Sequence, residues 1–208
     1  MAVLIGDSQP NVLTGSDGSD EIFGGGGDDI LDTGSGGDDL IYGEDGDDLL
    51  ISSARGSVVI FDGGDGVDTF KQDLTTENFA NLPDDLVVEI NLEQGVSGAL
   101  GYTNNQDRLI SIENITQVGY QDTVLTGDDQ SNMIIGSFGS DEIFGGGGDD
   151  KIRGGEGTDT ARYANARSEY VVTTETGPEG QTLYRVTSLD QTEASEGSDL
   201  LFSDVELL

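Results

Sequence analysis

The sequence predicts an all-β fold in which short parallel strands stack into a coil. Glycine occurs 33 times and recurs with aspartate in units of nine residues, and the eighth residue of most units is apolar. One short strand cannot bury its single apolar residue, whereas stacked units bury a continuous row of them. The repeat therefore predicts a fold held together by contacts between successive units.

The units form two arrays of similar sequence. The first comprises units 6–14, 15–23, 24–32, 34–42 and 43–51, then a degenerate unit around Ser57 and a clean unit from Gly63 to Lys71, with Thr33 as a one-residue insertion. The second comprises units 127–135, 136–144, 145–153 and 154–162. About two-thirds of positions are identical between 6–32 and 127–153, which indicates an internal duplication.

Each unit divides into a turn and a strand. The first six residues favour a turn, because glycine accepts positive φ and lets the backbone approach a ligand. The last three residues favour a short strand whose middle residue faces inward. The predicted inward residues are Leu13, Ile22, Leu31, Ile41, Leu50, Ile134, Ile143 and Ile152.

The sixth position of the unit is usually aspartate, with Asn11 and Asn132 in the first unit of each array and Ser57 in the degenerate unit. Stacking would pile these carboxylates along each edge of the coil, where like charges repel unless a cation lies between them. Acids at the fifth position are expected to be solvated charges rather than ligands; they are Asp28, Asp38, Asp47 and Asp149.

Composition narrows the choice of cation and partner. Acidic residues outnumber basic ones 42 to 8, the net charge is -34 and only 34% of residues are apolar. Such a chain stays compact only if its carboxylates are neutralised, and it repels nucleic acid. It has no Cys and no His, so hard oxygen donors remain, which favour calcium over magnesium in an all-protein site. No membrane span, cleaved signal peptide or enzyme activity is expected.

Strands are also predicted outside the arrays. Between them, Leu86–Leu92 and Arg108–Ile112 alternate in polarity, and a short helical turn is allowed at Asn81–Pro83. After the second array, 169–173 and 182–187 alternate in the same way, with a turn at 175–180.

The in-phase nonapeptides resemble the RTX (repeats-in-toxin) family. The resemblance implies a parallel β-roll (a right-handed β-solenoid) with a pair of units per turn and several calcium ions between units n and n+2. It also implies type I secretion and a secreted location, at or outside a bacterial cell surface. The segment from Gly154 is similar to the family's C-terminal tail, and Ser111–Asn114 resembles its inter-array linkers. The predicted domains are 1–71, 72–120, 121–163 and 164–208.

The predicted calcium ligands are the sixth-position aspartates and the turn glycines. The aspartates are Asp20, Asp29, Asp39, Asp48, Asp68, Asp141, Asp150 and Asp159. The glycines are Gly15, Gly24, Gly25, Gly27, Gly34, Gly37, Gly43, Gly46, Gly136, Gly139, Gly145, Gly148, Gly154 and Gly157. The strongest sites are expected at 20/39, 29/48 and 141/159, and weaker sites at 11/29 and 132/150, with 48/68 left open.

The predicted function is a module that folds on binding extracellular calcium and supports type I secretion of an unfolded chain. The alternative is a calcium-dependent adhesion or interaction module. On the outside of the first array, we expect Phe23 beside Tyr42 on one face and Val12, Ile30 and Leu49 on the other. We expect that apolar surface to be covered by 86–92, by 108–112 or by a partner subunit.

Overall fold

The computed structural model describes residues 1–53, 57–75, 86–99, 106–189 and 197–207. This part of the chain forms two long sheets that face each other, with no α-helix and one short 3-10 turn at Arg167–Glu169. No helix in these ranges has the length and apolar character that a membrane crossing requires. The predicted turn at Asn81–Pro83 lies outside the described residues.

The described residues form twenty-one strands. They are β1 Val3–Ile5, β2 Val12–Thr14, β3 Glu21–Gly26, β4 Ile30–Asp32, β5 Leu40–Asp45, β6 Leu49–Ser52, β7 Ile60–Asp65, β8 Thr69–Asp73, β9 Val88–Asn91, β10 Val96–Ala99, β11 Asp107–Ile110, β12 Asn114–Val118, β13 Thr123–Thr126, β14 Met133–Ile135, β15 Glu142–Phe144, β16 Lys151–Arg153, β17 Asp159–Arg162, β18 Tyr170–Thr176, β19 Thr182–Ser188, β20 Ser198–Phe202 and β21 Val205–Leu207.

The arrays form a parallel β-roll, as the repeat predicts. Alternate units of an array enter opposite sheets, so β1, β3, β5 and β7 pair in parallel in one sheet, and β2, β4, β6 and β8 pair in parallel in the other. The second array continues this pattern with β13, β15 and β17 in the first sheet and β14 and β16 in the second.

The core is the line of side chains between the two sheets. Each three-residue strand turns its middle residue inward, and the predicted inward residues from Ile22 onward are fully or almost fully buried. Leu13 is only half-buried because it lies in the first coil. Phe61 of the degenerate unit and Phe70 of the next unit lie in the core and meet edge to face, with ring centroids 5.0 Å apart.

The described strands between the arrays extend both sheets, so the expectation that 86–92 or 108–112 covers the outer face of the first array is wrong, while cover by a partner subunit stays a prediction. Strand β11 pairs in parallel with β7, β9 pairs in parallel with β13, and β10 lies antiparallel between β9 and β11. Strand β12 joins β8 to β14 in the other sheet. Val88, Ile90 and Leu109 point into the same core as the repeats, and the backbone edges of β7 and β13 offer hydrogen bonds that an outer face lacks.

The outer face itself has the predicted alignment. The Phe23 and Tyr42 rings stack with centroids 5.1 Å apart, and Val12, Ile30 and Leu49 are register partners. Among the described residues this row stays at the surface: Val12 is 72% exposed and Ile30 is 39% exposed.

The tail completes both sheets. Strands β20 and β21 pair in parallel with β16 and β17, while β18, β19 and β20 form an antiparallel meander at the end of the second sheet. The two strands predicted from alternation in the tail correspond to β18 and β19, which are slightly longer than predicted.

Candidate metal centres

The sixth-position residues form a column along each edge of the roll. The first edge consists of turns that lead from the eleven-stranded to the ten-stranded sheet, and the second edge consists of the returning turns. All eight predicted aspartates are at most 2% exposed. Burying a carboxylate is costly unless it is paired or hydrogen-bonded. The hydrogen-bond partners of these side chains therefore indicate which carboxylate oxygens need a cation.

One oxygen of each carboxylate is held by the backbone of the preceding coil. The Asp20 N–H donates to Asp39 Oδ1 at 2.8 Å, and the Asp29 N–H donates to Asp48 Oδ1 at 2.8 Å. The same hydrogen bond joins 48 to 68, 141 to 159, 11 to 29 and 132 to 150. The structure therefore stacks every pair of units that the sequence pairs, including 48/68, for which no site strength was predicted.

The second oxygen is unpartnered in six of these carboxylates. The Oδ2 atoms that are buried without a hydrogen-bond donor belong to Asp29, Asp39, Asp48, Asp68, Asp150 and Asp159. The Oδ2 atoms of Asp20 and Asp141 instead accept the N–H of Ser16 and Ser137, each at 2.6 Å. Six buried oxygens thus lack the partner that a buried anion normally has.

The unpartnered oxygens of Asp29, Asp48 and Asp68 each lie near a carbonyl oxygen of the next coil, at the place where a β-carbon on the first-position glycine would stand. A Cβ built on Gly24 would lie 2.5 Å from Asp29 Oδ2 and 2.6 Å from the Gly43 carbonyl oxygen. Gly43 has the same relation to Asp48 and the Gly63 carbonyl, and Gly136, Gly145 and Gly154 would also place a Cβ against their sixth-position carboxylate. A first-position glycine therefore leaves room between a carboxylate and the next turn, and it does so both where Oδ2 is unpartnered and at Gly136, where the Ser137 N–H already donates to Asp141 Oδ2.

The fourth position of the turn also needs glycine, because its backbone is left-handed. Gly27, Gly37, Gly46, Gly148 and Gly157 have φ between 90° and 135°, a region that a β-carbon disfavours. Gly139 occupies the corresponding position without a positive φ. The predicted turn glycines therefore shape the site, and the ligands they can offer are carbonyl oxygens.

Burial raises the pKa of several of these carboxylates. Burial, together with the smaller effect of the adjacent carboxylates Asp20, Asp48 and Asp141, raises the pKa of Asp39, Asp68 and Asp159 to about 6. Burial likewise raises the pKa of Asp150 to about 7. Within the described residues no three carboxylates converge on one point, so an ion between two turns would take most of its ligands from the backbone. A hard cation with oxygen ligands fits this donor set.

Three residues join the columns that the sequence did not predict. Asp107 accepts the Val59 N–H at 2.9 Å, Glu113 accepts the Asp68 N–H at 2.8 Å, and Asp199 accepts the Asp150 N–H at 3.0 Å. Asp107 and Asp199 each begin a four-residue match to the end of the nonapeptide, an aspartate followed two places later by a buried leucine. That short pattern is the feature of the sequence from which Asp107 and Asp199 could have been predicted to join the columns.

The stacking corrects the numbering of positions within two units, the one that follows Asp32 and the degenerate one. Thr33 takes the first position of its turn rather than being inserted, because Gly15 lies against its carbonyl and its own N–H bonds to the Ile51 carbonyl at 3.1 Å. The extra residue lies within the turn, so Gly34 takes the second position. In the degenerate unit the sixth position belongs to Val59, not Ser57, since the Ile60 N–H bonds to the Asp39 carbonyl.

The fifth-position acids are exposed but not merely solvated. Asp28 Oδ1 accepts the Asp47 N–H at 3.1 Å, and Asp47 Oδ1 accepts the Val67 N–H at 2.9 Å. Asp38 and Asp149 make the same bond to Val58 and to Ser198. The physical reason is that parallel coils leave one N–H per turn unpaired at the surface, and the neighbouring carboxylate reaches it.

Comparison with known proteins agrees with this geometry. No curated protein matches the chain. A family model of the RTX calcium-binding nonapeptide repeat matches it in four copies, over residues 5–38, 33–54 and 126–161. These ranges contain most of the unpartnered carboxylates, and repeats of this family bind calcium. Residues 5–54 and 126–161, which make up most of the two arrays, therefore consist of RTX calcium-binding nonapeptide repeats.

Proposed function

We propose that this chain is a calcium-dependent folding module. The observation that carries the proposal is the set of six buried Oδ2 atoms without a donor, each in a turn that stacks on another. A calcium ion beside such an oxygen would supply the missing partner, offset the charge of the carboxylate column and tie two turns together. The role is structural rather than catalytic, as is that of the matched repeats.

The proposed ligands come from two sources in each site. The sixth-position aspartate supplies a carboxylate oxygen, and the turn glycines of the same and the next stacked unit supply carbonyl oxygens. At the first edge, Asp29 would act with the Gly43 carbonyl and Asp48 with the Gly63 carbonyl. Calcium accepts six to eight such oxygens in flexible geometry, whereas magnesium demands a smaller, near-octahedral shell.

A calcium titration followed by far-UV circular dichroism tests the proposal. In chelator, the net charge of -34 and the unpaired carboxylates should leave the arrays largely unfolded. Calcium should restore β structure with midpoints of about 10⁻⁴ to 10⁻³ M, the range of extracellular modules. Magnesium at equal concentration is the control and should do much less. A native spectrum in chelator, unchanged by calcium, would contradict the proposal.

We further propose that the chain is secreted by a type I apparatus and folds outside the cell, at or beyond a bacterial surface. Midpoints near millimolar would keep the arrays unfolded at cytosolic calcium and fold them outside. The test is co-expression with and without a type I exporter in calcium-rich medium. Equal amounts of the chain in the medium without the exporter would refute the proposal.

An interaction module is the second candidate, and the first coil favours it. Val3 and Ile5 are 55% and 73% exposed on the outer face of β1, and Val12 is 72% exposed on the opposite outer face, in β2. Apolar surface of this kind often marks a contact. Sedimentation with and without calcium, comparing the wild-type chain with a Val3→Ser, Val12→Ser double variant, would reveal a contact between copies. Identical monomeric behaviour would leave this candidate without support.

A further inference from the structure

Four turns are closed by their own second residue. The N–H of Ser16 donates to Asp20 Oδ2 and that of Ser137 to Asp141 Oδ2, both at 2.6 Å. In the turns before Asn11 and Asn132, the second-residue N–H donates to the asparagine Oδ1 at 2.7 and 2.9 Å. These are the first two turns of each array, and none of the four second residues is a glycine.

The six turns whose carboxylate is unpartnered have a different second residue. Those residues are Gly25, Gly34, Glu44, Gly64, Gly146 and Gly155, and all have φ between 75° and 111°. Their N–H groups make no bond to the carboxylate of their own turn; that of Gly34, for example, donates to Asp32 Oδ1 at 2.8 Å. Glu44 adopts φ 75° although it has a β-carbon, so the left-handed backbone belongs to this type of turn and not only to glycine.

A closed carboxylate already has a peptide N–H donor on each of its two oxygens. Asp141 Oδ1 accepts the Thr123 N–H at 3.0 Å while its Oδ2 accepts the Ser137 N–H. Asp20 is held in the same way by Ala2 and Ser16. An ion at Oδ2 would compete with the peptide N–H already bonded to that oxygen, and a displaced N–H would become an unpaired donor, whereas in an open turn Oδ2 has no N–H to displace.

We propose that the second residue of each unit selects whether its turn takes a calcium ion. A left-handed second residue leaves the turn open for metal, and a right-handed or extended one closes it with a peptide N–H. Both arrays then begin with two metal-free turns, and the metal sites begin at Asp29 and Asp39 in the first array and at Asp150 and Asp159 in the second. This inference rests on the proposed function and alters the sites expected from the sequence, since Asp20 and Asp141 hold no ion through Oδ2.

Isosteric substitutions in stacked pairs test the assignment. Bound calcium per chain is counted by native mass spectrometry at saturating calcium for Asp20→Asn and Asp141→Asn, and for their neighbours Asp39→Asn and Asp159→Asn. The first two variants should keep the wild-type count, and each of the last two should lose one ion. Loss of an ion from Asp20→Asn or Asp141→Asn would overturn the inference. A wild-type chain that binds no calcium would instead sink the proposed function itself.

A second comparison leaves the carboxylates intact. Ser137→Ala keeps the N–H that closes the turn and removes only the hydroxyl, whereas Ser137→Gly allows the left-handed backbone of the open turns. The glycine variant should bind one more ion than the wild type, and the alanine variant should bind the wild-type number. Equal counts for the two variants would overturn the role of the second residue, even if the aspartate variants fold poorly.

Discussion

The coil that joins the two arrays should be sensitive to loss of one carboxylate. Glu113 Oε2 accepts the N–H of the buried Asp68 at 2.8 Å, which continues the first-edge column across the inter-array segment. Glu113→Ala would leave that N–H without its acceptor, at a cost of about 1–3 kcal/mol. For a chain of this length each kcal/mol lowers the melting temperature by about 2–4 °C, so the expected shift is about 2–12 °C.

Urea denaturation at saturating calcium measures the underlying loss of about 1–3 kcal/mol in the free energy of unfolding. Glu113→Gln keeps an acceptor oxygen and should retain most of the wild-type stability. Glu93→Ala removes an exposed glutamate from the same segment and should change stability by about 0.5 kcal/mol or less. If Glu113→Ala unfolds at the same urea concentration as Glu93→Ala, the hydrogen bond does not join the arrays as described.

Three further outcomes are expected. Asp29→Ala should weaken calcium binding in calorimetry far more than Asp28→Ala, because only Asp29 is buried with an unpartnered oxygen; equal losses would refute the site. Leu31→Ala should lower the free energy of unfolding by about 2–5 kcal/mol and Ile30→Ser by less than about 1 kcal/mol, since Ile30 lies at the surface; equal losses would indicate a covered face. Because burial raises the pKa of Asp39 and Asp68 to about 6, the folded state binds protons more tightly than the unfolded state. In chelator the fold should therefore gain stability as the pH falls towards about 4 and lose it as the pH rises through about 6. The apparent calcium affinity should fall on acidification, because protons compete with calcium for the carboxylates. Less β structure in chelator at a pH of about 5 than at a pH of about 8 would contradict the predicted direction of the stability change.

The sequence predicts the coil well because each unit has one apolar residue, at its eighth position, that is buried only when units stack. Ile22 and Leu31 are buried where the eighth position places them, and Phe23 stacks on Tyr42 because units two apart share a sheet. The nonapeptide period alone is enough for these contacts, since the strand alternation is local and the stacking is regular.

Other features depend on contacts that the period does not encode. Asp107 and Asp199 enter the columns after long excursions of the chain, and no turn glycine in phase precedes Asp107. Glu113 takes an aspartate's place through a longer side chain. The closing of the turns at Ser16 and Ser137 depends on backbone φ at one residue, which a sixth-position pattern ignores. The boundaries of the four predicted domains stay a prediction, although both sheets run through all four segments.

The columns also bear on how the chain tolerates insertions. Most stacked partners are 18 to 20 residues apart, but Asp68 and Glu113 are 45 apart, and Asp150 and Asp199 are 49 apart. Closing a loop of about 45 residues instead of about 19 costs only about 0.8 kcal/mol of extra chain entropy. A coil can therefore leave the roll, form a meander of its own and return to the next hydrogen bond at little cost. Whole segments could be spliced in or removed at these two places during evolution while the metal-binding edges stayed in phase.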